Sequence, residues 1–193
     1  RGAPGLTNAG LAQIGTMTSL TRLDLSGSNA ITIGGLSQLN GLTEMKRLSV
    51  RGGHRDDAVL DISGMKQLEH LVITGRKEAL IADEDLACLR GLTNLEEIQI
   101  APHGNLSDEG LAHLAGLTNL SILNIGGSYI TDDGLRALAG MKNLFHLTLT
   151  GNFGDEGLRH LEGLRRLNYL KLVSGLNISA SAQSRLRSRL PRL

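Results

Sequence analysis

Ile130-Thr-Asp-Asp-Gly-Leu135-Arg-Ala-Leu138-Ala-Gly140-Met141-Lys-Asn-Leu144-Phe-His-Leu147-Thr-Leu149 contains one complete structural unit. Leu144, Leu147 and Leu149 stand as apolar, two variable residues, apolar, one variable residue, apolar. The closing alternation is that of a strand with one buried face. Ahead of it, Leu135, Leu138 and Met141 recur at spacings of three, one buried stripe on a short helix. Thr131 is a suitable N-cap, and Asp132 and Asp133 favour the positive helix end. Ile130 is expected to plug the core. Gly140 stands where the helix must stop and is expected to take the left-handed C′ conformation.

Working outward, the strand motif occurs seven times, starting at Leu20, Met45, Leu68, Leu95, Leu120, Leu144 and Leu167. The starts lie 25, 23, 27, 25, 24 and 23 residues apart. A period in the twenties built on this motif is the leucine-rich-repeat signature, and the chain resembles that family over nearly its whole length. The fuller phrase, Ile-Thr/Ser-Asp-x-Gly-Leu through Asn-Leu-x-x-Leu-x-Leu, is similar to repeats abundant in bacterial members and in F-box-type substrate receptors. One strand per repeat with a returning helix makes the strands parallel and the crossovers right-handed. Helices are wider than the ~4.8 Å strand spacing, so the stack curves. The expected fold is α/β: a right-handed solenoid, or horseshoe, with a concave parallel sheet of seven strands and short convex helices.

The terminating glycine recurs as Gly41, Gly64, Gly91, Gly116, Gly140 and Gly163, each four residues before a strand motif, while the first unit has Thr16 there and Gly15 before it. The segment Val59 to Gly64 is short and β-branched, so an irregular or 3₁₀ turn replaces the helix there. Many family members place Asn three residues after the last strand leucine. The positions here are Ser28, Gly53, Arg76, His103, Ser128, Asn152 and Gly175. Only Asn152 fits, so water or hydroxyls are expected to satisfy those groups elsewhere. Residues 1–19 read as a half-repeat without its own strand and residues 176–193 as a capping helix. The whole, 1–193, is one domain, expected to be part of a longer chain.

Composition agrees with a narrow aliphatic interior: 40% hydrophobic residues, but two Phe, two Tyr and no Trp. A net charge of +1 argues against nucleic acid as partner. No apolar run is long enough for membrane insertion. Cys88 alone allows no internal disulfide, and with no secretory signal a reducing, cytoplasmic location is expected, a translocated effector being the other possibility. Three Asn-x-Ser triplets, at Asn105, Asn119 and Asn177, carry little weight in so repetitive a chain. Arg185, Arg187, Arg189 and Arg192 either bind an acidic partner or solvate the last helix.

No constellation of catalytic groups emerges. His113 and His160 are expected to face outward from helices. His70 and His146 occupy equivalent positions three repeats apart, roughly 14 Å, too far to share a metal. His54 with Asp56 and Asp57 reads as a solvated loop. Cys88 lacks a neighbouring base and reads as a half-buried, inert thiol. The expectation is no enzyme, no cofactor and no metal.

The working surface follows from strand alternation, which turns the residues between the strand leucines outward in three columns. The first is Arg22, Arg47, His70, Glu97, Ile122, His146 and Tyr169. The second is Asp24, Ser49, Val72, Gln99, Asn124, Thr148 and Lys171. The third is Ser26, Arg51, Thr74, Ala101, Gly126, Thr150 and Val173. Arg22, Arg47 and Arg51 cluster at one end, either awaiting an acidic ligand or neutralised by Asp24. Ile122, His146 and Tyr169, with Phe145 beside them, form an aromatic patch at the other, and interface hot spots favour such anchors. His70, Glu97, Gln99, Asn124, Thr148 and Lys171 complete the candidate partner-binding set. The loops at 51–57 and 76–83, with Pro102 and His103, are further candidates. The expected function is a monomeric module binding a protein or peptide on its concave face. The alternative is the recognition arm of a larger enzyme, such as a ubiquitin-ligase subunit or a bacterial effector.

Overall fold

A computed structural model of the chain describes residues 5–74, 81–100, 104–174 and 178–193. Each strand motif forms a strand: β1 (Arg22–Asp24), β2 (Arg47–Arg51), β3 (His70–Thr74), β4 (Glu97–Ile100), β6 (Ile122–Tyr129), β7 (His146–Gly151) and β8 (Tyr169–Ser174). They pair in parallel in that order, with the motif leucines in register from Leu23 and Leu48 through to Leu147 and Leu170. An eighth strand, β5 (Gly104–Ser107), pairs only with β6 and had no counterpart in the sequence reading. Its partner Gly127 explains the pairing: a Cβ there would lie 2.2 Å from the Leu106 carbonyl oxygen. Only a residue without a side chain lets the two backbones approach so closely.

The returning segments are short because stacked crossovers must match closely spaced strands. They are α1 (Asn8–Ile14), α2 (Ile33–Leu36), α3 (Asp83–Leu86), α4 (Asp108–Ala112), α5 (Asp132–Leu135), α6 (Asp155–Leu161) and α7 (Ala180–Arg189). The single-turn helices α2, α3 and α5 continue as slimmer 3₁₀ turns, Ser37–Leu39, Ala87–Leu89 and Arg136–Gly140. Between β2 and β3 there is no helix, as the β-branched Val59–Gly64 segment led us to expect. Leucines and isoleucines from both layers fill one continuous interior, and Leu135, Leu138, Met141, Leu144, Leu147 and Leu149 are all fully buried. Truncating such a leucine to alanine costs about 2–5 kcal/mol.

The terminating glycines are not left-handed. Among the described residues, positive φ occurs only at Gly27, Gly52 and Gly53, in the turns after β1 and β2. The helices instead leave through right-handed 3₁₀ geometry, for example with φ −58° at Gly15, so no Schellman turn forms. Crowding accounts for one member of the series, Gly64, and for Gly15 of the departing first unit: a Cβ at either would lie 2.3 Å from a carbonyl oxygen of the neighbouring repeat.

The other recurrent glycine, in the Asp-x-Gly-Leu phrase, has a cross-repeat cause. Asp108 accepts from the Thr131 amide at 2.7 Å and from its hydroxyl at 2.6 Å. Asp83 does the same for Ser107 at 2.9 and 2.5 Å, and Asp155 for Ser179 at 2.8 and 2.6 Å. Asp132 accepts from the Gly154 amide at 2.7 Å. The first rung uses Asn8, which accepts from the Thr32 amide and donates to its hydroxyl, both at 3.0 Å. The first residue of α1, α3, α4, α5 and α6 thus ties down the N-cap of the helix that follows. Thr131 also caps its own helix, as read from sequence, and Ser107 does the same. Each carboxylate leans over the next helix, where a Cβ at Gly110 or Gly134 would lie 2.2 Å from it.

The expected asparagine, Asn152, has an exposed side chain; only its amide is bonded inward, to the Ile130 carbonyl at 2.6 Å. Asparagines work at a different station, just before the strands. Asn94, Asn119 and Asn143 donate to the carbonyls of Lys66, Thr93 and Thr118, each one repeat back. Arg76, His103, Gly175, Asn177, Ala101 and Pro102, and most of the 76–83 loop, lie outside the described residues.

Candidate functional site

Strand alternation delivers the candidate columns to one face. Arg22, Arg47, His70, Glu97, Ile122, His146 and Tyr169 are consecutive register partners across the sheet. Asp24, Ser49, Val72, Gln99, Asn124, Thr148 and Lys171 form the parallel second column. Arg51 pairs with Thr74, and Gly126 with Thr150 and Val173, in the third. The face has two chemically different ends.

At the β1–β4 end lies a depression of about 420 Å³, lined by Arg22, Arg47, Arg51, His70, Glu97 and Gln99 among others. Its two acids are occupied. Asp24 accepts from the Ser26 amide at 2.9 Å and its hydroxyl at 2.5 Å. These bonds hold its carboxyl below the usual carboxylate range, with the Arg51 charge contributing less. Glu97 lies 2.9 Å from the His70 Nδ1 and accepts from Gln99 at 2.5 Å. The three arginines are exposed, and among the described residues none forms a hydrogen bond or ion pair. Asp24 therefore answers first to Ser26, with Arg51 acting on it only through its charge.

At the β6–β8 end, Ile122, His146 and Tyr169 sit side by side. The His146 and Tyr169 rings stack with centroids 4.1 Å apart and planes 20° from parallel. Tyr169 is 44% exposed, and Phe145 and Val173 nearly equally so. In a protein whose other large apolar side chains are mostly at 0–3%, this is a concentration of wet apolar surface. Thr148 Oγ1 reaches the His146 Nε2 only at 3.5 Å, and Lys171 is exposed at the rim.

Between the ends stands Asn124, whose Oδ1 is shielded from water and has no hydrogen-bond partner among the described residues. Nothing in the sequence marked it beyond its place in the column, because an unmet acceptor is a property of neighbours. Also unforeseen was a cavity of about 590 Å³ at the C-terminal end, lined by Leu158, Leu170, Leu172, Ile178, Leu186 and Leu193 with Gln183 and Arg187. Leu170 and Leu172 are only half-buried, since among the described residues no further strand lies beside β8.

Several of the remaining candidates take part in hydrogen bonds within the fold. Cys88 is half-buried and donates to the Asp85 carbonyl at 3.1 Å, and burial pushes its thiol up to about 11, leaving little thiolate at neutral pH. Asp56 accepts from the Gly34 amide at 3.0 Å, whereas His54 faces the Asn29 carbonyl at 3.4 Å, so the two do not converge. His113 and His160 are half-buried, not fully turned outward; Arg90 donates to His113 at 2.8 Å. Of the C-terminal arginines, Arg185 bonds Glu162 at 2.8 Å.

Comparisons with known proteins agree with this architecture. A family model described as Leucine Rich repeat matches residues 16–39 and 116–139. No curated protein sequence matches the chain significantly. Among solved structures, an internalin (inlF) from Listeria monocytogenes is 25% identical with a TM-score of 0.74, over 93% of this chain and 48% of that one. The chain thus spans about half the internalin's length. TLR13, solved in complex with ssRNA13, has a TM-score of 0.65 at 17% identity, over 97% of this chain and 29% of that one. The ectodomain of the Arabidopsis receptor kinase HAESA, solved with the IDA peptide hormone, has a TM-score of 0.55 at 15% identity, over 88% and 28%. No described helix is long and apolar enough to cross a membrane. With seven in-register strand motifs, one returning segment per repeat and these likenesses, the chain is a leucine-rich repeat protein.

Proposed function

We propose that this protein is a non-enzymatic interaction module that binds a protein or peptide on the concave face of its sheet. The observation that carries the reading is the stacked His146–Tyr169 pair beside Ile122, flanked by exposed Phe145 and Val173. Rigid aromatic groups already ordered by stacking lose little conformational freedom when a partner covers them, which favours their use as anchors. The HAESA structure, with a peptide on the same kind of fold, is consistent with this reading.

A polypeptide suits the face better than nucleic acid. A nucleic-acid footprint needs a basic stripe that tracks many phosphates. Here three arginines gather at one end, Lys171 stands alone at the other, and the centre carries Glu97, Gln99 and Asn124. The test is affinity capture from source lysate with the unmodified chain and an Ile122/His146/Tyr169 triple-alanine variant. Once a partner is in hand, Tyr169→Ala with His146→Ala should weaken it well beyond twofold; a change within about twofold, ~0.4 kcal/mol, rejects the aromatic anchor.

A further inference from the structure

The concave face is electrostatically unbalanced in a specific way. Both acids in the 420 Å³ depression are satisfied within the protein, while among the described residues Arg22, Arg47 and Arg51 form no hydrogen bond or ion pair. Arg22 and Arg47 are direct register neighbours, and Arg51 sits on the same strand as Arg47. Like charges placed opposite one another across a sheet destabilise it. Three guanidinium groups around one depression, with no internal carboxylate within ion-pair distance among the described residues, match two or more carboxylates arriving from outside, since each guanidinium grips a carboxylate through paired N–H groups.

Resting on the peptide-binding reading above, we propose that the ligand is an extended acidic–aromatic segment: a carboxylate cluster seats on Arg22, Arg47 and Arg51, and an apolar or aromatic side chain seats on His146 and Tyr169. The spacing follows from the sheet. From β2 to β7 there are four inter-strand steps, ~19 Å at ~4.8 Å each. An extended chain covers that span in about six residues at ~3.3 Å per residue. Val72, Gln99 and Asn124 line the path between. Lys171, on the same strand as Tyr169, leaves the C-terminal end unfavourable for basic segments as well.

Selection of the full chain against a random linear-peptide display library tests this, followed by affinities of the enriched synthetic peptides. Enrichment of Asp or Glu about six residues from an aromatic or branched apolar residue is expected. Arg47→Gln with Arg51→Gln should weaken those peptides by about tenfold or more, and so should Asp→Asn and Glu→Gln replacement in the peptide. Arg47→Glu should regain affinity for a peptide whose acid is replaced by Lys. If enriched peptides lack acids and tolerate the arginine variants but depend on Tyr169, the acidic-segment proposal is wrong and the concave binding reading stands. If they tolerate both the arginine and the aromatic variants, both readings fail. If fluorescein-labelled oligouridylate binds through these arginines and acidic peptides do not, the depression is a phosphate site and the proposal is overturned.

Discussion

Arg55 reaches the carboxylate of Asp85, thirty residues ahead, and that carboxylate is fully buried. Asp85 also accepts from the amides of Leu60 and Ala82, both at 2.8 Å. Arg55 and Leu60 belong to the helix-free connection between β2 and β3, and Ala82 is the N-cap of α3. The carboxylate therefore supplies, from the next repeat, the acceptors that a helix would have supplied within its own. Glu84 at 2.7 Å gives Arg55 a second, more exposed partner.

Removing the cation should cost far more than a surface ion pair. Arg55→Met leaves a buried carboxylate without its charge partner and is expected to destabilise by about 3–5 kcal/mol. Arg136→Met, which breaks the exposed Arg136–Asp133 pair at 3.1 Å, should cost under about 1 kcal/mol. Urea denaturation of the two variants measures the contrast; equal midpoints would mean that Asp85 needs no counter-charge.

Glycine to alanine inside a helix ordinarily stabilises by up to about 1 kcal/mol. Gly134→Ala should do the reverse, because the new methyl would lie 2.2 Å from the Asp108 carboxylate that holds the Thr131 N-cap. Overpacking of this kind costs about 1–3 kcal/mol. Gly116→Ala, which meets nothing within 4 Å, should be neutral or mildly stabilising. Thermal melts of both variants decide whether the cross-repeat carboxylate accounts for the glycine.

Stability should fall with acid. Hydrogen bonds from Thr32, Ser63 and Ser179 hold the carboxyls of Asp56, Asp61 and Asp155 below their ordinary values. A depressed native value means the unfolded chain binds protons first, so this stabilisation is complete above the unfolded value of about 3.9 and lost as pH falls below it. Urea midpoints should be flat from neutral pH to about 5 and drop below about 4. Asp155→Asn keeps one acceptor and turns the other position into a donor to the Ser179 hydroxyl, the arrangement Asn8 makes with Thr32. That variant should fold with a shallower acid decline; an unchanged slope would remove Asp155 from the account.

Asn124 offers a separation of stability from binding. Its shielded, unpartnered Oδ1 costs about 1–3 kcal/mol, and a β-branched apolar side chain suits a strand. Asn124→Val is expected to raise stability by about 1 kcal/mol while weakening any peptide enriched on the concave face. A variant less stable than the parent would show that the amide is satisfied in solution.

The Leu-x-x-Leu-x-Leu recurrence determined the parallel sheet, its register and the membership of the three surface columns, because a side-chain period of two and a repeat period in the twenties leave one consistent way to bury every motif leucine. The N-cap at Thr131 was legible for the same local reason. Interactions between repeats were not. Why Asp-x-Gly-Leu carries its glycine, why Asp85 is buried, and which asparagines bridge carbonyls all depend on atoms some 23 to 30 positions away. The terminating glycines misled because a helix stop has two solutions, a left-handed residue or a 3₁₀ exit, and neighbouring repeats selected the second. At the working face the sequence named the residues, but only the tertiary structure showed that Ser26 occupies Asp24, that His70 and Gln99 occupy Glu97, and that three arginines remain free. Charge alone cannot reveal this, since which partner an ion takes is set by distance and orientation across strands.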